Sequence, residues 1–387
     1  MKADEMWRTS TGKGITIAVI DTGVDPSNPD LTGQVLRGKD FAQGQPGDEH
    51  TDYLGHGTGI AGLIAGTGTS GGGDGAFGLA PGVKILPVRM PKATDTANQA
   101  EGNKQFNTVA PQAIHYAADQ HARVINISMG VDEGSPQLTE AVKYASDKGS
   151  LIFAAVGNSG NVDNAVEYPA ATPGVIGVGA VGRNLHKTDE SEYGRQVDLS
   201  APGDDMVHPC KSETGLCRSH GTSDATALAS ASAALIWSKH PEWTNNQVLR
   251  VMLNTIGGPT DGAKRNDSIG YGIVRPRVAL VNPGDPGPAD VYPLPDPPAS
   301  AASAAPPSPA PAKDAAPRAE KAAGNRPSLL LPLGIAAGVG VVGGLAGVWA
   351  WRRRNRQRAV IASAPPGSWG PGPGWPEQQH PDRTGRY

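Results

Sequence analysis

The chain has 387 residues, including 52 Gly and 35 Pro, and a formal net charge of −3 at pH 7. This length is enough for one full hydrophobic core with a second region left over. The balance of charges gives no basic footprint, so nucleic acid is not expected among the partners.

The first predicted strand ends at an acidic residue. Residues 14–20 form a β-branched run of the kind found in buried parallel strands, and Asp21 follows it directly, two positions before Gly23. Open α/β sheets place their functional sites at the carboxyl ends of strands. Asp21 is therefore a candidate functional residue, with a simple turn-forming role as the alternative.

His56 stands between Gly55 and Gly57 at the start of a predicted helix of small and aliphatic residues, 56–66. Small residues permit close approach of backbones, which indicates a tightly packed helix. Packing does not readily explain a histidine between two glycines at a helix start. This context favours a functional role for His56 over that of an ordinary surface or core histidine.

The middle of the chain alternates predicted strands at 83–89, 124–129, 151–156 and 175–181 with predicted helices at 109–120 and 135–148. This alternation predicts an α/β fold with a doubly wound, mostly parallel sheet and helices on both faces. Asn158 follows one of these strands in a Gly-Asn turn and so lies at another carboxyl end.

The two cysteines, Cys210 and Cys217, lie close together in a stretch rich in polar and turn-forming residues. We expect a disulfide that closes this loop, because an exported location is expected from the C-terminal region. Two free thiols are one alternative, and a metal site with His208 or His220 is another. The spacing matches no zinc pattern, so no metal or other cofactor is predicted.

Ser223 ends a Gly-Thr-Ser sequence and precedes an Ala-rich run, 224–239, of helix-forming composition. In the first turn of a helix the backbone N–H groups are unpaired and lie at the positive end of the macrodipole, where an oxyanion would be stabilised. Ser223 is therefore a candidate nucleophile, and a helix cap is the alternative. Residues 244–255 predict a last helix that begins with a capping box.

The composition changes after residue 282, where we expect the domain of residues 1–282 to end. Residues 283–328 are rich in Pro and Ala, which predicts a disordered spacer. Residues 329–351 carry no charge and would extend about 34 Å as a helix, enough to cross a bilayer once. Five arginines lie within residues 352–358, at the start of the tail of residues 352–387, which predicts a cytoplasmic tail and an extracytoplasmic first domain at the cell membrane.

Asp21, His56, Asn158 and Ser223 occur in this order, and Asp, His, Ser is the chain order of one known serine protease triad. Over residues 11–277 the chain resembles the subtilases. The motifs that carry the resemblance are Val19–Asp25, Gly55–Thr58, Ala154–Ser159 and Gly221–Ser223, supported by Gly78–Pro81, Asn126–Gly130 and Asp198–Gly203. Together with the spacer, the single span and the basic tail, the pattern resembles the mycosins, subtilases associated with type VII secretion.

The resemblance implies roles for the candidate residues. Ser223 would attack the scissile carbonyl, His56 would take its proton, and Asp21 would orient the imidazole. The Asn158 side chain and the Ser223 backbone N–H would hold the oxyanion.

The resemblance also implies where a substrate binds. A protein or peptide substrate would add as a strand beside Ser128, Met129 and Gly130. Glu167, which precedes Tyr168-Pro169, would lie at the base of the primary specificity pocket and favour Lys or Arg.

Two departures accompany this resemblance. Asp224 follows the candidate nucleophile where most subtilases have an apolar or small residue, and its charge is expected to oppose the developing oxyanion and lower turnover. Residues 1–14 lack the apolar core of a signal peptide, so we expect the sequence to begin inside a longer reading frame, with export by another route as the alternative.

The sequence thus predicts a membrane-anchored serine endopeptidase that acts on exported proteins and associates with the membrane components of a secretion system. The alternative is a subtilase-like scaffold, weakly active or inactive, that stabilises such a membrane complex.

Overall fold

The computed structural model describes residues 1–92 and 95–295. The strands of this part of the chain are β1 Thr16–Asp21, β2 Lys39–Asp40, β3 Lys84–Arg89, β4 Val124–Ile127, β5 Leu151–Ala155, β6 Ile176–Val181, β7 Leu199–Pro202, β8 Met206–Pro209 and β9 Leu216–Ser219. The helices are α1 Ala3–Trp7, α2 His56–Ala65, α3 Gln99–Asp119, α4 Pro136–Asp147, α5 Thr222–Lys239, α6 Asn245–Asn254 and α7 Pro276–Val281.

Seven strands form one sheet in the order β2-β3-β1-β4-β5-β6-β7, with every neighbouring pair parallel. Strands β8 and β9 form a separate antiparallel hairpin. The predicted α/β fold with a mostly parallel sheet is confirmed. Because all connections in the main sheet are crossovers, the carboxyl ends of its strands lie along one edge, where Asp21 ends β1.

Hydrophobic cores lie on both faces of the sheet. Successive residues of β1 alternate between them: Ile17 and Val19 pack with helices α2, α5, α6 and α7, whereas Ala18 and Ile20 pack with α3 and α4. A strand buried on both faces needs an unbroken apolar run, which explains why the four buried residues of β1 before Asp21, residues 17–20, are all apolar.

Helix α5 passes through the core on one face of the main sheet. It is buried from Asp224 to Trp237 and contacts strands β4, β5, β6 and β7. Its alanines and serines are small enough for this close contact with the sheet. The buried helix therefore fixes the position of Ser223 in its first turn.

Helix α3 is longer than predicted, since it begins at Gln99 instead of residue 109. Its first turns are polar and gave no hydrophobic period, but the Asn98 side chain caps the helix by accepting a hydrogen bond from the Glu101 N–H.

Residues 283–295, which fall in the predicted spacer, contact helix α6 and the core. Arg250 Nη1 donates to the carbonyl oxygens of Pro286 (2.7 Å) and Pro288 (2.8 Å), and Gln247 Nε2 donates to Gly287 O (2.9 Å). Leu294 is buried in the core. A proline-rich segment has few backbone donors but keeps its carbonyl groups, which side chains of α6 satisfy here.

Within residues 1–92 and 95–295, no helix has both the length and the apolar composition needed to cross a membrane. The rest of the predicted spacer, the predicted span at 329–351 and the predicted tail lie outside the described residues.

Candidate active site

Asp21 and His56 form a hydrogen-bonded pair at the carboxyl edge of the sheet. Asp21 is fully buried, and His56 Nδ1 lies 2.7 Å from its Oδ1 atom, which also accepts from the Thr22 N–H at 2.7 Å. A carboxylate only accepts hydrogen bonds, so the hydrogen belongs to Nδ1 and the neutral ring keeps Nε2 as its proton acceptor. The His56 side chain is 34% exposed and can therefore meet a substrate.

Gly57 explains how helix α2 comes so close to β1. A Cβ atom at this position would lie 2.2 Å from the Gly23 carbonyl oxygen and 3.2 Å from Asp21 Oδ1. Any side chain here would therefore push His56 away from Asp21.

Asp52 fixes the start of α2, and the sequence analysis missed it. Its carboxylate accepts hydrogen bonds from the Thr58 N–H (2.8 Å), the Gly55 N–H (2.7 Å) and Thr22 Oγ1 (2.7 Å). Thr22 Oγ1 in turn accepts from the Gly57 N–H at 2.9 Å. Asp52 thus joins the end of β1 to the helix that carries His56. An acidic residue shortly before a predicted helix was the available signal.

Electrostatics favour the protonated ring of His56. Burial by itself lowers the pKa of His56, but the charge of Asp21 and its hydrogen bond act in the opposite sense. Asp224 and Asp52 add to the upward effect, and together these carboxylates raise the pKa to about 9. These carboxylates stabilise the imidazolium, so the neutral ring, which is the form that can accept a proton, predominates only above this pKa.

Ser223 lies in the first turn of α5, next to the segment that follows β4. Its Oγ atom donates to the Ser128 carbonyl oxygen at 3.3 Å in this conformation. Ser128 Oγ accepts from Asn126 Nδ2 at 3.0 Å, so the buried Asn126 steadies this segment. The structure thereby brings Ser223 and Ser128 together.

Asn158 contacts the start of the same helix. Its Oδ1 atom accepts hydrogen bonds from the Thr222 N–H (2.9 Å) and Thr222 Oγ1 (3.2 Å). With the carbonyl end of the amide held by Thr222, the NH₂ end remains to donate to a ligand. Asn158 is exposed, whereas its neighbours Gly157 and Ser159 are buried.

The predicted substrate-binding segments are neighbours. Val131 and Tyr168 exchange two backbone hydrogen bonds of 2.9 Å and 2.8 Å, which place the segment of residues 128–130 beside Glu167. A Cβ atom at Gly130 would lie 2.5 Å from Glu167 Oε2. The Glu167 carboxylate therefore extends over Gly130, while Met129 is half-buried and Gly130 is exposed.

Asp224 is buried and accepts a hydrogen bond from Ser219 Oγ at 2.6 Å. Burial raises the pKa of Asp224, whereas the Ser219 hydrogen bond and the nearby His208, His56 and His220 lower it. The carboxylate is thus bonded to β9 and also contributes to the charge around His56.

Cys210 and Cys217 form a disulfide that closes the β8–β9 hairpin. The hairpin packs on α2, with His208 against Gly59 and Pro209 against Gly62. Both sulfurs are therefore used, which leaves no thiolate for the alternative metal site. In the part of the chain that the structure describes, no group of three or more His, Cys, Asp or Glu residues could hold a metal ion.

Comparison with known proteins identifies the family. The model of the subtilase family matches residues 12–272. The major intracellular serine protease of Bacillus subtilis is 37% identical over 250 residues, which cover 62% of this chain and 74% of that protein. Thermitase of Thermoactinomyces vulgaris is 37% identical over 239 residues, which cover 62% of this chain and 80% of that protein.

Solved structures give the same result. MycP3 protease from the type VII (ESX-3) secretion system has 32% identity and a TM-score of 0.63, and the match covers 72% of this chain and 85% of that one. The periplasmic assembly from the ESX-5 inner membrane complex matches with 29% identity and a TM-score of 0.64, over 80% of this chain and 88% of that one. The expected resemblance to the subtilases and to the mycosins is thus confirmed, and the chain belongs to the subtilase family of serine proteases.

Proposed function

We propose that this subtilase is an endopeptidase that uses Asp21, His56 and Ser223 as its triad and Asn158 as its oxyanion donor. The observation that carries the proposal is the 2.7 Å contact between His56 Nδ1 and Asp21 Oδ1 at the carboxyl edge of the sheet. That contact leaves Nε2 of the neutral ring free of its hydrogen, as general-base catalysis requires.

In the proposed reaction Ser223 Oγ forms a bond to the scissile carbonyl carbon while its proton passes to His56 Nε2. This step requires the Ser223 hydroxyl to leave the Ser128 carbonyl oxygen, to which it donates in the structure, and to donate to the imidazole instead. The same proton then goes to the leaving amine as the C–N bond breaks. Water attacks the acyl-enzyme by the reverse sequence of proton transfers and releases the acid product. Asp21 stays ionised and stabilises the imidazolium throughout.

The oxyanion would be held by the Asn158 NH₂ group and the Ser223 backbone N–H. The hydrogen bond from the Thr222 N–H to Asn158 Oδ1 supports this assignment, because it orients the amide before substrate binds. A preorganised donor stabilises the charge that develops in the transition state without reorganising at the moment of reaction.

The substrate is proposed to lie as an added strand along Ser128, Met129 and Gly130. Exposed backbone at Gly130 supports this placement, since an extended peptide binds through main-chain hydrogen bonds. The carboxylate of Glu167 beside Gly130 supports a preference for Lys or Arg at the residue whose carbonyl is attacked.

The enzyme is further proposed to be anchored in the cell membrane by residues 329–351, with its catalytic domain outside and its tail in the cytoplasm. The uncharged run and the arginines after it support this topology. Similarity to a protease of the type VII (ESX-3) secretion system and to the ESX-5 periplasmic assembly supports exported proteins as substrates and secretion membrane components as partners. Two assays test the anchor. The full chain should be extracted from membranes by detergent but not by alkaline carbonate. Protease added outside the cell should digest the catalytic domain.

A fluorophosphonate probe tests the chemistry, because it reacts only with an activated serine. Wild-type protein should be labelled, whereas Ser223→Ala should not. Ser238→Ala is the matched control, since its hydroxyl lies at the other end of the same helix and donates to the Lys13 carbonyl oxygen, and it should retain labelling. A folded wild-type protein that is not labelled would contradict the proposal and favour the scaffold alternative.

A further inference from the structure

Glu192 is a buried carboxylic acid that the proposed reaction does not use. Its side chain has no solvent exposure and lies beneath the turn of residues 157–160, which carries Asn158. Glutamate is almost never fully buried unless it is paired. A fully buried carboxyl group at this position is therefore unusual.

Glu192 is bonded to both neighbours of Asn158. Ser159 Oγ donates to Glu192 Oε1 at 2.7 Å, and the Ser159 N–H donates to the same oxygen at 3.3 Å. On the other side, the Glu192 N–H donates to the Gly157 carbonyl oxygen at 3.1 Å. Glu192 therefore fixes the residue before Asn158 and the residue after it.

The carboxyl group also fills the space beneath Gly157. A Cβ atom at this position would lie 2.4 Å from Glu192 Oε1, and the residue has a φ of +111°, a conformation that favours glycine. The Gly157 N–H donates to Thr222 Oγ1 at 3.3 Å. The turn is therefore held between Glu192 on one side and the start of α5 on the other.

This arrangement is energetically costly. Burial raises the pKa of Glu192 to about 7, the charges of Asp163 and Asp132 act in the same sense, and the two Ser159 hydrogen bonds oppose them. Among the described residues, Glu192 Oε2 has no hydrogen-bond partner. An apolar side chain would fill the same space at lower cost, so packing alone does not account for a carboxyl group here.

We propose that Glu192 is a positioning residue for Asn158, holding the turn so that the Asn158 amide lies where the oxyanion forms. The inference rests on the proposed serine protease mechanism. Because a positioned donor binds the transition state more tightly than the substrate, losing Glu192 should lower kcat and leave KM almost unchanged.

A double-mutant cycle tests whether Glu192 acts through Asn158. Steady-state kinetics on one fluorogenic peptide are measured for wild type, Glu192→Ala, Asn158→Ala and the double variant. Glu192→Ala should lower kcat by about tenfold or more with KM within about twofold, but in the Asn158→Ala background it should change kcat by less than about twofold. Equal losses in both backgrounds would overturn the proposal.

Further variants separate positioning from folding. Glu192→Gln keeps an oxygen that accepts from Ser159 and should retain most of kcat, whereas Ser159→Ala should show the same coupling to Asn158 as Glu192→Ala. If Glu192→Ala does not fold, the Ser159→Ala cycle decides the question by the same criterion. Asp30→Asn, a buried carboxyl bonded to Ser70, is the control and should leave kcat unchanged.

The cycle distinguishes this inference from the proposed function. A wild-type protein without peptidase activity would contradict the proposed function. An active wild type with additive losses would contradict only the role of Glu192.

Discussion

His56 Nδ1 lies 2.7 Å from Asp21 Oδ1, although the two residues are 35 positions apart in the chain. The contact depends on Gly57, which lets α2 approach β1, and on Asp52, which bonds to both elements. The pair is therefore a product of the fold and is present before any substrate binds.

Asp21→Asn should abolish most of the activity without unfolding the protein. An Asn side chain can donate a hydrogen bond to Nδ1, which would move the ring hydrogen to Nε2 and remove the general base. We expect kcat to fall by about 10⁴-fold with little change in KM. Kinetics on a fluorogenic peptide measure the loss, and thermal unfolding checks the fold.

Asp25→Asn is the matched control for this substitution. Asp25 lies in the same motif but is paired with Lys211, so kcat should stay within about threefold of wild type. If Asp21→Asn retained a tenth of the wild-type kcat, His56 would not depend on Asp21.

Asp224 should shift the pH profile through its charge near His56. The base must be neutral to act, and the pKa of His56 is about 9, so kcat/KM should rise with pH and reach half its maximum near that value. Asp224→Asn removes one of the charges that raise this pKa, so the rise should move to lower pH. An unchanged profile would show that Asp224 does not affect His56.

Glu167→Gln should change specificity more than turnover. The Glu167 carboxylate beside Gly130 is expected to pair with a basic side chain of the substrate. A neutral Gln at this position would leave the charge of the substrate without a partner. For peptides with Lys or Arg at the attacked residue, kcat/KM should fall by about tenfold or more relative to a Leu peptide. Equal cleavage of basic and apolar peptides by the wild type would contradict the assignment.

Much of the site could be predicted because each main residue has a local signal. Asp21 follows an apolar strand, His56 begins a helix between glycines, and Ser223 opens an Ala-rich helix. Each of these signals depends only on neighbouring residues in the chain. The order of the three residues along the chain then indicated the family.

Residues whose roles depend on distant partners could not be predicted. Asp52 bonds to Thr22, which is 30 residues away, and Glu192 bonds to Ser159, which is 33 residues away. The packing of residues 283–295 depends likewise on Arg250 in α6, whereas their composition alone favours a spacer. Only the tertiary fold brings these groups together.

Glu192 should also affect how stability varies with pH. Its pKa is raised from 4.5 to about 7, so between these values the folded state binds more protons than the unfolded state. The contribution of Glu192 therefore becomes less favourable as pH rises through this window, by about 1.4 kcal/mol per unit of pKa shift. Glu192→Gln does not titrate and should gain stability over the wild type between pH 4.5 and pH 8.

Thermal unfolding at both pH values measures this gain, with Ser223→Ala as the common background to prevent self-digestion. Glu190→Gln is a control in which the substitution should change stability in the opposite direction. The Glu190 pKa is lowered, against the effect of burial, by hydrogen bonds that include one from His220, so its ionised form stabilises the fold at neutral pH. That contribution is lost only as pH falls below 4.5, so Glu190→Gln should be less stable than the wild type by nearly the same amount at pH 4.5 and at pH 8. If Glu192→Gln shifted Tm equally at both pH values, the carboxyl group would not titrate in this window.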